Sequence, residues 1–297
     1  MLKKIFYTAV LLLISIISFS QDFLGQFREQ SSKKDTAGEL RVLTAWASAA
    51  PKDPELFIAY FNYYVRNSMT EIISLDESRK NKNSFVVSDT GTGKPIAYLN
   101  SSLKYKSDIL QKGFDYIDQG IRFHPTRLDM RFGRIYMLGQ AENFHEFTKE
   151  IVAAIEYGNQ INNTWLWKEG KSLENGKQFF LNSLQDYITT IYNTGDDNLL
   201  PLMRQISETV IKYFPEHVES LSNIALTHLI NGQYDKALPF LLKAEELAHK
   251  DVIVLNNIAE AYRRMGDKIN AKIYFGKVIK HGNEEQKQDA RQKIKSL

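Results

Sequence analysis

The sequence predicts an all-α fold built from antiparallel helix pairs. Its main support is a self-similarity between residues 218–251 and 252–285, which align at an offset of 34 residues. Large apolar residues also recur at helical spacing, as in Phe57, Phe61 and Tyr64, and this pattern indicates helix faces turned toward a core. Hydrophobic residues make up 43% of the chain, which is enough for a large core.

The two aligned segments share their small and apolar residues. Each segment predicts a helix, a tight turn at glycine and a second helix. Gly232 and Gly266 end the first helices, where a left-handed backbone favours glycine. Alanines at helix contacts allow the helices to approach closely. The aligned pairs are Leu221/Leu255, Asn223/Asn257, Ile224/Ile258, Ala225/Ala259, Gly232/Gly266, Ala237/Ala271 and Ala244/Val278.

This pattern resembles the tetratricopeptide repeat family, whose unit is 34 residues long. The resemblance is most complete in the second repeat, at Leu255, Ile258, Ala259, Tyr262, Ala271 and Phe275. The sequence departs from the family at three positions: Leu255 replaces a tryptophan, and His249 and Asn283 replace the closing prolines. The resemblance implies a TPR-type α-solenoid, in a TPR-containing protein exported by a bacterium.

The remaining segments extend the helical prediction in both directions. Pro215 closes a degenerate repeat over residues 177–217, with helices over 177–192 and 199–214. Residues 286–297 predict a capping helix. Residues 21–158 predict a divergent helical, TPR-like region with helices over 54–66, 105–123 and, as a pair, 127–157.

Two irregular stretches interrupt the helices. A long insertion over residues 67–102 is either a functional or a mobile loop, with room for a short β-hairpin of strands 85–88 and 96–99 around a glycine-rich turn. The second stretch, residues 159–176, carries Trp165 and Trp167. These tryptophans are either exposed interaction anchors or, as we favour, rings folded back onto the adjacent helices.

The N-terminus predicts export. Lys3 and Lys4 precede an apolar run that ends in Ser18-Phe19-Ser20, the pattern of a secretory signal with cleavage after Ser20. The mature protein is then periplasmic or extracellular, without stable membrane insertion. The alternative is an uncleaved anchor, for which about fifteen residues are short. The chain has no cysteine, so it is not a lipoprotein.

Composition and motifs argue against catalysis, cofactors and nucleic acid. The net charge is +3, and a balanced surface lacks the basic stripe that nucleic acid requires. Gly91-Thr-Gly93-Lys94 resembles a phosphate-binding loop, but Ser88 replaces its first glycine and Pro95 its hydroxyl residue. The six histidines lack metal-ligand spacing. We therefore predict no catalytic residue, no metal and no cofactor.

The family resemblance implies protein binding along the first helix of each repeat. In that family an asparagine on this helix binds the ligand backbone, and Asn223 and Asn257 match it. A helix-to-helix hydrogen bond is an equal alternative for both. Glu260, Arg263 and Arg264 project from the same helix, and arginine suits carboxylate recognition.

Three functional classes follow from the sequence. We favour an exported, non-catalytic interaction module or scaffold that binds a peptide or helix of a partner protein in a concave groove. The second class is a structural or assembly component of an envelope complex. The third is an enzyme or small-ligand protein, for which a polar pocket beneath Trp165 and Trp167 would be needed.

Overall fold

The computed structural model describes residues 22–79 and 84–297, and it confirms the predicted fold class. Helices account for most of these residues. The predicted signal segment lies outside them. The helices are α1 (Phe23–Ser32), α2 (Thr36–Ala49), α3 (Pro54–Ser68), α4 (Ser107–Phe123), α5 (Leu128–Gln140), α6 (Phe144–Gln160), α7 (Gly176–Tyr192), α8 (Leu200–Tyr213), α9 (Val218–Ile230), α10 (Tyr234–Leu247), α11 (Val252–Met265), α12 (Lys268–His281) and α13 (Glu284–Lys295).

Consecutive helices pack against one another along the chain. The most extensive contacts join α3 to α4, α9 to α10, and α11 to α12. Contacts between α8 and α9 and between α10 and α11 connect one pair to the next. Each helix pair therefore covers the apolar face of its neighbour, as in a solenoid. None of the helices within residues 22–79 and 84–297 combines the length and apolar character needed to cross a bilayer.

The two aligned segments form the pairs α9–α10 and α11–α12, and their small residues lie where the sequence predicts. Ala225, Ala237, Ala259 and Ala271 are fully buried. Gly266 follows α11 with a φ of 81°, in the left-handed region that favours glycine. The side chain of Asp251 caps the start of α11 by accepting hydrogen bonds from the amides of Ile253 and Val254.

Buried ion pairs connect α3, α4, α5 and α6. Arg127, 2% exposed, donates to Asp129 and, over 2.7 Å, to Glu55 of α3. Arg131 donates to Glu150 of α6 over 3.0 Å, and Arg134 pairs with Glu150 and with Asp118 of α4. Burial alone would lower the pKa of Arg127, but the hydrogen bonds to Asp129 and Glu55 raise it above its usual range.

The insertion forms a three-stranded antiparallel sheet of β1 (Met69–Asp76), β2 (Phe85–Ser88) and β3 (Pro95–Tyr105), in the order β1-β3-β2. The predicted hairpin corresponds to β2 and the first half of β3. The sequence analysis missed β1 and the second half of β3, although Thr70, Ile72 and Ile73 are β-branched residues that favour strands. Most of the segment between α3 and α4, predicted as a long loop, is therefore a β-sheet.

The second irregular stretch contains a two-stranded hairpin of β4 (Leu166–Trp167) and β5 (Lys171–Ser172) around a 3₁₀ turn at Lys168–Gly170. The amide of Leu166 donates to the carbonyl of Thr126, so the hairpin is held against the start of α5. The chain then enters α7 at Gly176, where an added Cβ would lie 2.8 Å from the carbonyl oxygen of Asn163. Only glycine allows this close approach.

Candidate interaction surface

The first helices of the two clear repeats are α9 and α11, and they carry the asparagines singled out above. Asn223 is 7% exposed, and its amide donates to Gln185 Oε1 of α7 over 2.7 Å. This contact supports the helix-to-helix alternative for Asn223, because α7 is the first helix of the preceding pair. A role in ligand binding stays a prediction for this residue.

Asn257 lies one repeat later and differs in its surroundings. Its side chain is partly exposed on α11 and hydrogen-bonds to no other side chain within residues 22–79 and 84–297. The amide therefore keeps both donors and its acceptor for solvent or a ligand. At the same repeat position, Asn223 of α9 is therefore hydrogen-bonded to another helix, whereas the Asn257 amide of α11 is available to a ligand.

Glu260 lies one turn after Asn257 and forms two ion pairs. Its carboxylate accepts from Arg263 Nε over 2.7 Å and from Lys293 Nζ of α13 over 2.9 Å. Partial burial would raise the pKa of Glu260, but the hydrogen bonds from Lys293 and Arg263 lower it overall. Lys293 also pairs with Asp289 on its own helix. Glu260 and Arg263 are therefore paired within the chain, and their role in partner binding stays a prediction.

Arg264 is exposed near the end of α11, and in the part of the chain that the structure describes it has no carboxylate partner. Helical periodicity places Ile253, Asn257, Glu260 and Arg264 along one face of α11. Ile253 is 66% exposed. This face therefore offers an apolar side chain, a free amide and a free guanidinium in succession.

The last helix borders this face. The side chain of Asn283 caps α13 by accepting from the amide of Gln286, and the side chain of Gln286 returns the bond to the amide of Asn283. A cavity of about 160 Å³ separates α11 from α13. It is lined by Val252, Ile253, Asn256, Val278, Gln286 and Asp289. The helix predicted as a cap thus forms one wall of a shallow groove.

Trp165 and Trp167 do not form an exposed pair. Trp165 is 1% exposed, and its ring lies against Phe180 and Tyr157 with centroids 5.4 and 5.8 Å away. Of the two interpretations, the exposed anchor is wrong for Trp165, since the hairpin turns its ring into the core. Trp167 is half-buried and packs edge-on against Phe179. The favoured interpretation, in which the rings fold back onto the adjacent helices, describes both tryptophans.

The described residues contain no group of three or more His, Asp or Glu side chains that could hold a metal. The sequence analysis missed Gln185 and Lys293, which engage Asn223 and Glu260. Neither residue stands out in the sequence, because Gln185 belongs to the degenerate repeat and Lys293 to a charged helix. Only an alignment of the degenerate repeat with the two clear repeats, at the same offset of 34 residues, relates Gln185 on α7 to α9.

The comparisons with known proteins identify the two C-terminal helix pairs. The tetratricopeptide repeat family model matches residues 218–251 and 253–280, so α9–α10 and α11–α12 are tetratricopeptide repeats. Repeats of this family are protein–protein interaction modules with concave binding surfaces. No curated protein matches the chain.

The chain also matches solved structures, and the following three have low sequence identity to it. PilW, a widely conserved type IV pilus biogenesis factor, has 10% identity and a TM-score of 0.40 over 90% of this chain and 96% of its own. YrrB, a TPR protein with an unusual peptide-binding site, has 10% identity and a TM-score of 0.43 over 84% and 97%. The C-terminal part of a TPR protein from Cytophaga hutchinsonii has 13% and 0.42 over 87% and 78%. These likenesses are too low to carry a function across.

Proposed function

We propose that this chain is an exported, non-catalytic scaffold that binds a peptide or helix of a partner protein along the first helices of its C-terminal repeats. The observation that carries the proposal is the free face of α11, where Asn257 and Arg264 have no side-chain partner among the described residues. A surface that leaves an amide and a guanidinium unpaired on a repeat helix is suited to a polar ligand.

The chemistry of this face indicates the partner's chemistry. The Asn257 amide can both donate to and accept from the backbone of an extended peptide or the end of a helix. Arg264 can hold a carboxylate in two parallel hydrogen bonds. Ile253 adds an apolar contact at the other end of the face. We infer a partner segment that carries one apolar side chain opposite Ile253 and an acidic group opposite Arg264, about three helical turns further along α11.

A photo-crosslinking experiment tests this assignment. A benzophenone amino acid is placed at Ile253 on the proposed face or, as a matched control, at Ile273 on α12, where the native side chains are 66% and 51% exposed. We expect a specific adduct in the native host from position 253 and none from position 273. Equal adducts from both positions would contradict a ligand site on α11.

Charge reversal tests the carboxylate preference. Arg264→Glu should lower the yield of the adduct at position 253, because a repelled carboxylate binds less well. Lys272→Glu on α12 makes the same change in net charge at another exposed position and should leave the yield unchanged. An adduct insensitive to Arg264→Glu would remove this residue from the site.

Export is a separate part of the proposal and has its own test. We propose that residues 1–20 are a signal peptide and that the mature protein begins at Gln21 in the periplasm or outside the cell. Mass spectrometry of the protein isolated from its host should give a mass without residues 1–20. A full-length mass in the membrane fraction would instead indicate the uncleaved anchor.

The second candidate is a structural or assembly component of an envelope complex. The observation that favours it is the row of exposed apolar side chains on β1 and β3, which lies far along the chain from α11. The two functions are compatible, since one needs the repeat helices and the other needs the sheet. They are also separable by the variants described here.

A further inference from the structure

Among the described residues, no helix packs extensively against the three-stranded sheet, and only its base, at Leu103 and Tyr105, lines a cavity with α4. Large apolar residues are exposed on all three of its strands, although such residues in a sheet usually face a core. α3 ends at Ser68 and leads directly into β1, while β3 leads into α4 after Lys106. We call β1, β2 and β3 the arm.

The register separates the arm into two faces. Because paired residues share a face, Leu75, Leu99 and Phe85 lie side by side across the three strands. The odd-numbered residues form this face, which we call the odd face. Its large apolar members are Met69, Ile73, Leu75, Phe85, Leu99 and Leu103, and all of them are exposed.

The opposite face has polar contacts of its own. Asn100 donates to Asp76 over 2.8 Å and to the carbonyl of Ser78 over 3.1 Å, and it accepts from Ser84. Ser74 also donates to Asp76. The centre of this face is therefore a network of hydrogen-bonded polar side chains. Its exposed apolar residues, such as Ile96, lie beside that network.

The odd face is almost without charge. Its single ionisable residue on β1 is Glu71, which accepts a hydrogen bond from the Ser101 hydroxyl on β3. Phe85 is 76% exposed and Leu75 is 65% exposed. The six apolar side chains together expose roughly 600 Å², at the upper end of what a soluble monomer leaves open. Such a patch indicates an interface.

We propose that the odd face binds the odd face of a second copy of this chain, so that two arms form a β-sandwich about a two-fold axis. Two such faces would bury roughly 1,200 Å² in total, which reaches the lower limit for a specific protein–protein interface. Sheets that pack face to face lie about 10 Å apart, with strands inclined by about 30°. A two-fold contact of this kind closes on itself and ends at a dimer.

A second copy fits this face better than a charged partner does. The face offers no arginine or lysine among the described strands for an acidic protein or an anionic membrane, and its one carboxylate is already hydrogen-bonded. Another apolar sheet face matches it in extent, polarity and flatness. The contact uses none of the residues of α11 named above, so the two proposals rest on different surfaces.

The first test is the mass of the purified protein in solution. Sedimentation equilibrium should give a dimer in wild type. Leu75→Lys should raise the dimer dissociation constant by about 30-fold or more, because it buries a charge in the contact. Ile96→Lys makes the same change on the opposite face, at a side chain of similar exposure, 61%, and should leave the dimer intact.

The second test uses the absence of cysteine from the chain. Ser101 and Ser102 are neighbours on β3, are both exposed, and lie on opposite faces. In Ser101→Cys a bis-maleimide of about 10 Å span should join two copies, since facing sheets are separated by that distance. Ser102→Cys should give no cross-linked dimer. Circular dichroism confirms that each variant is folded.

Three results would overturn the proposal. A wild-type protein that is monomeric at high concentration would exclude a second copy as the occupant. A dimer weakened equally by Leu75→Lys and Ile96→Lys would exclude a specific face. A dimer insensitive to both would place the contact elsewhere, for example on the outer edge of β1. None of these results bears on crosslinking at Ile253, so the groove proposal is judged separately.

Discussion

The helix pair α3–α4 and the two repeats α9–α12 bring helices into close contact with different side chains. In the repeats, alanines at matched positions are fully buried between helices. In α4 the corresponding residues are Gly113 and Gly120, which lie against Tyr64 and Phe57 of α3. Large aromatic rings on one helix therefore require glycine on the other. Both regions therefore form closely packed helix pairs, but the small residues at the helix contacts are alanines in the repeats and glycines in α4.

The two regions also use charge differently. Arg127 is buried between α3 and α5, and the side chains of its partners Glu55 and Asp129 are 19% and 11% exposed. The ion pairs of Glu260 with Arg263 and Lys293 remain partly exposed on α11 and α13. A buried ion pair helps to fix one arrangement of the helices. When one partner is removed, the other charge stays buried without compensation, and the protein loses stability. We therefore expect single substitutions in the ion pairs between α3 and α5 to lower stability more than substitutions in the ion pairs of α11 and α13.

The largest effect is expected from Arg127→Leu. Loss of the guanidinium leaves Glu55 and Asp129 largely shielded from solvent without a cation, which should lower the free energy of unfolding by about 3 kcal/mol. Urea titration followed by circular dichroism measures the change. Arg41→Leu breaks the exposed pair with Asp35 and should change stability by less than about 0.5 kcal/mol. Similar losses for both variants would remove the distinction between buried and exposed pairs.

The next effect concerns glycine in helices. At Gly120 an added Cβ would lie 2.8 Å from Phe57 Cβ and 3.0 Å from Met130 Sδ. Gly120→Ala should therefore be destabilising by about 1–2 kcal/mol, despite the better helix propensity of alanine.

Gly276 provides the matched control for helix propensity. It lies within α12, where an added Cβ meets no atom within 4 Å. Gly276→Ala should stabilise the protein by about 0.5–1 kcal/mol. Opposite signs for the two substitutions in thermal or urea unfolding would confirm that close helix contact, and not propensity, selects Gly120. A stabilising Gly120→Ala would show that α3 and α4 can separate without loss.

The contrast also explains how far the sequence predicts the fold. Ala225 and Ala259 recur at a fixed offset, so the C-terminal repeats are recognisable from one chain. The glycine-aromatic contacts of α3 and α4 occur once, and no second copy marks them as a repeat. The arm is only partly predicted, because within the insertion over residues 67–102 only the glycine-rich turn marks a pair of strands. Its exposed apolar residues cannot be distinguished from core residues by sequence.

The sequence identifies residues of the candidate surface but not the side chains that they contact. The offset identified Asn223 and Asn257 as equivalent, but it carried no information on Gln185, which engages only the first of them. Likewise the sequence places Glu260 next to Arg263 and Arg264 on one helix, but it does not show that Lys293 of α13 pairs with Glu260 across the helices. Contacts between distant segments depend on the packing of helices and have no local signal.

A smaller effect should separate the two asparagines. Asn223→Ala removes the hydrogen bond to Gln185 and should lower the free energy of unfolding by about 1 kcal/mol. Asn257→Ala should change it by less than about 0.5 kcal/mol. In a double-mutant cycle, Asn223→Ala and Gln185→Ala should be less than additive. Additive losses would mean that the bond contributes nothing to the contact between α7 and α9.

The smallest effect is a difference in the pH dependence of stability between the two regions. Burial raises the pKa of Glu150 above its ordinary value of 4.5, and Arg131 and Arg134 offset this only in part. Above pH 4.5 the folded chain thus retains a proton that the unfolded chain has released. The contribution of Glu150 is complete below 4.5 and falls as the pH rises through its folded pKa.

Glu260 has the opposite sign. Burial would raise its pKa, but the bonds from Lys293 and Arg263 lower it below 4.5, so its contribution is complete above 4.5 and is lost as the pH falls through its folded pKa. In urea titrations from pH 3 to pH 7, Glu260→Gln should flatten the stability curve on its acid side, whereas Glu150→Gln should flatten the decline above 4.5. If both variants altered only the acid side, the folded pKa of Glu150 would lie below 4.5, and the attraction of Arg131 and Arg134 would outweigh the effect of burial.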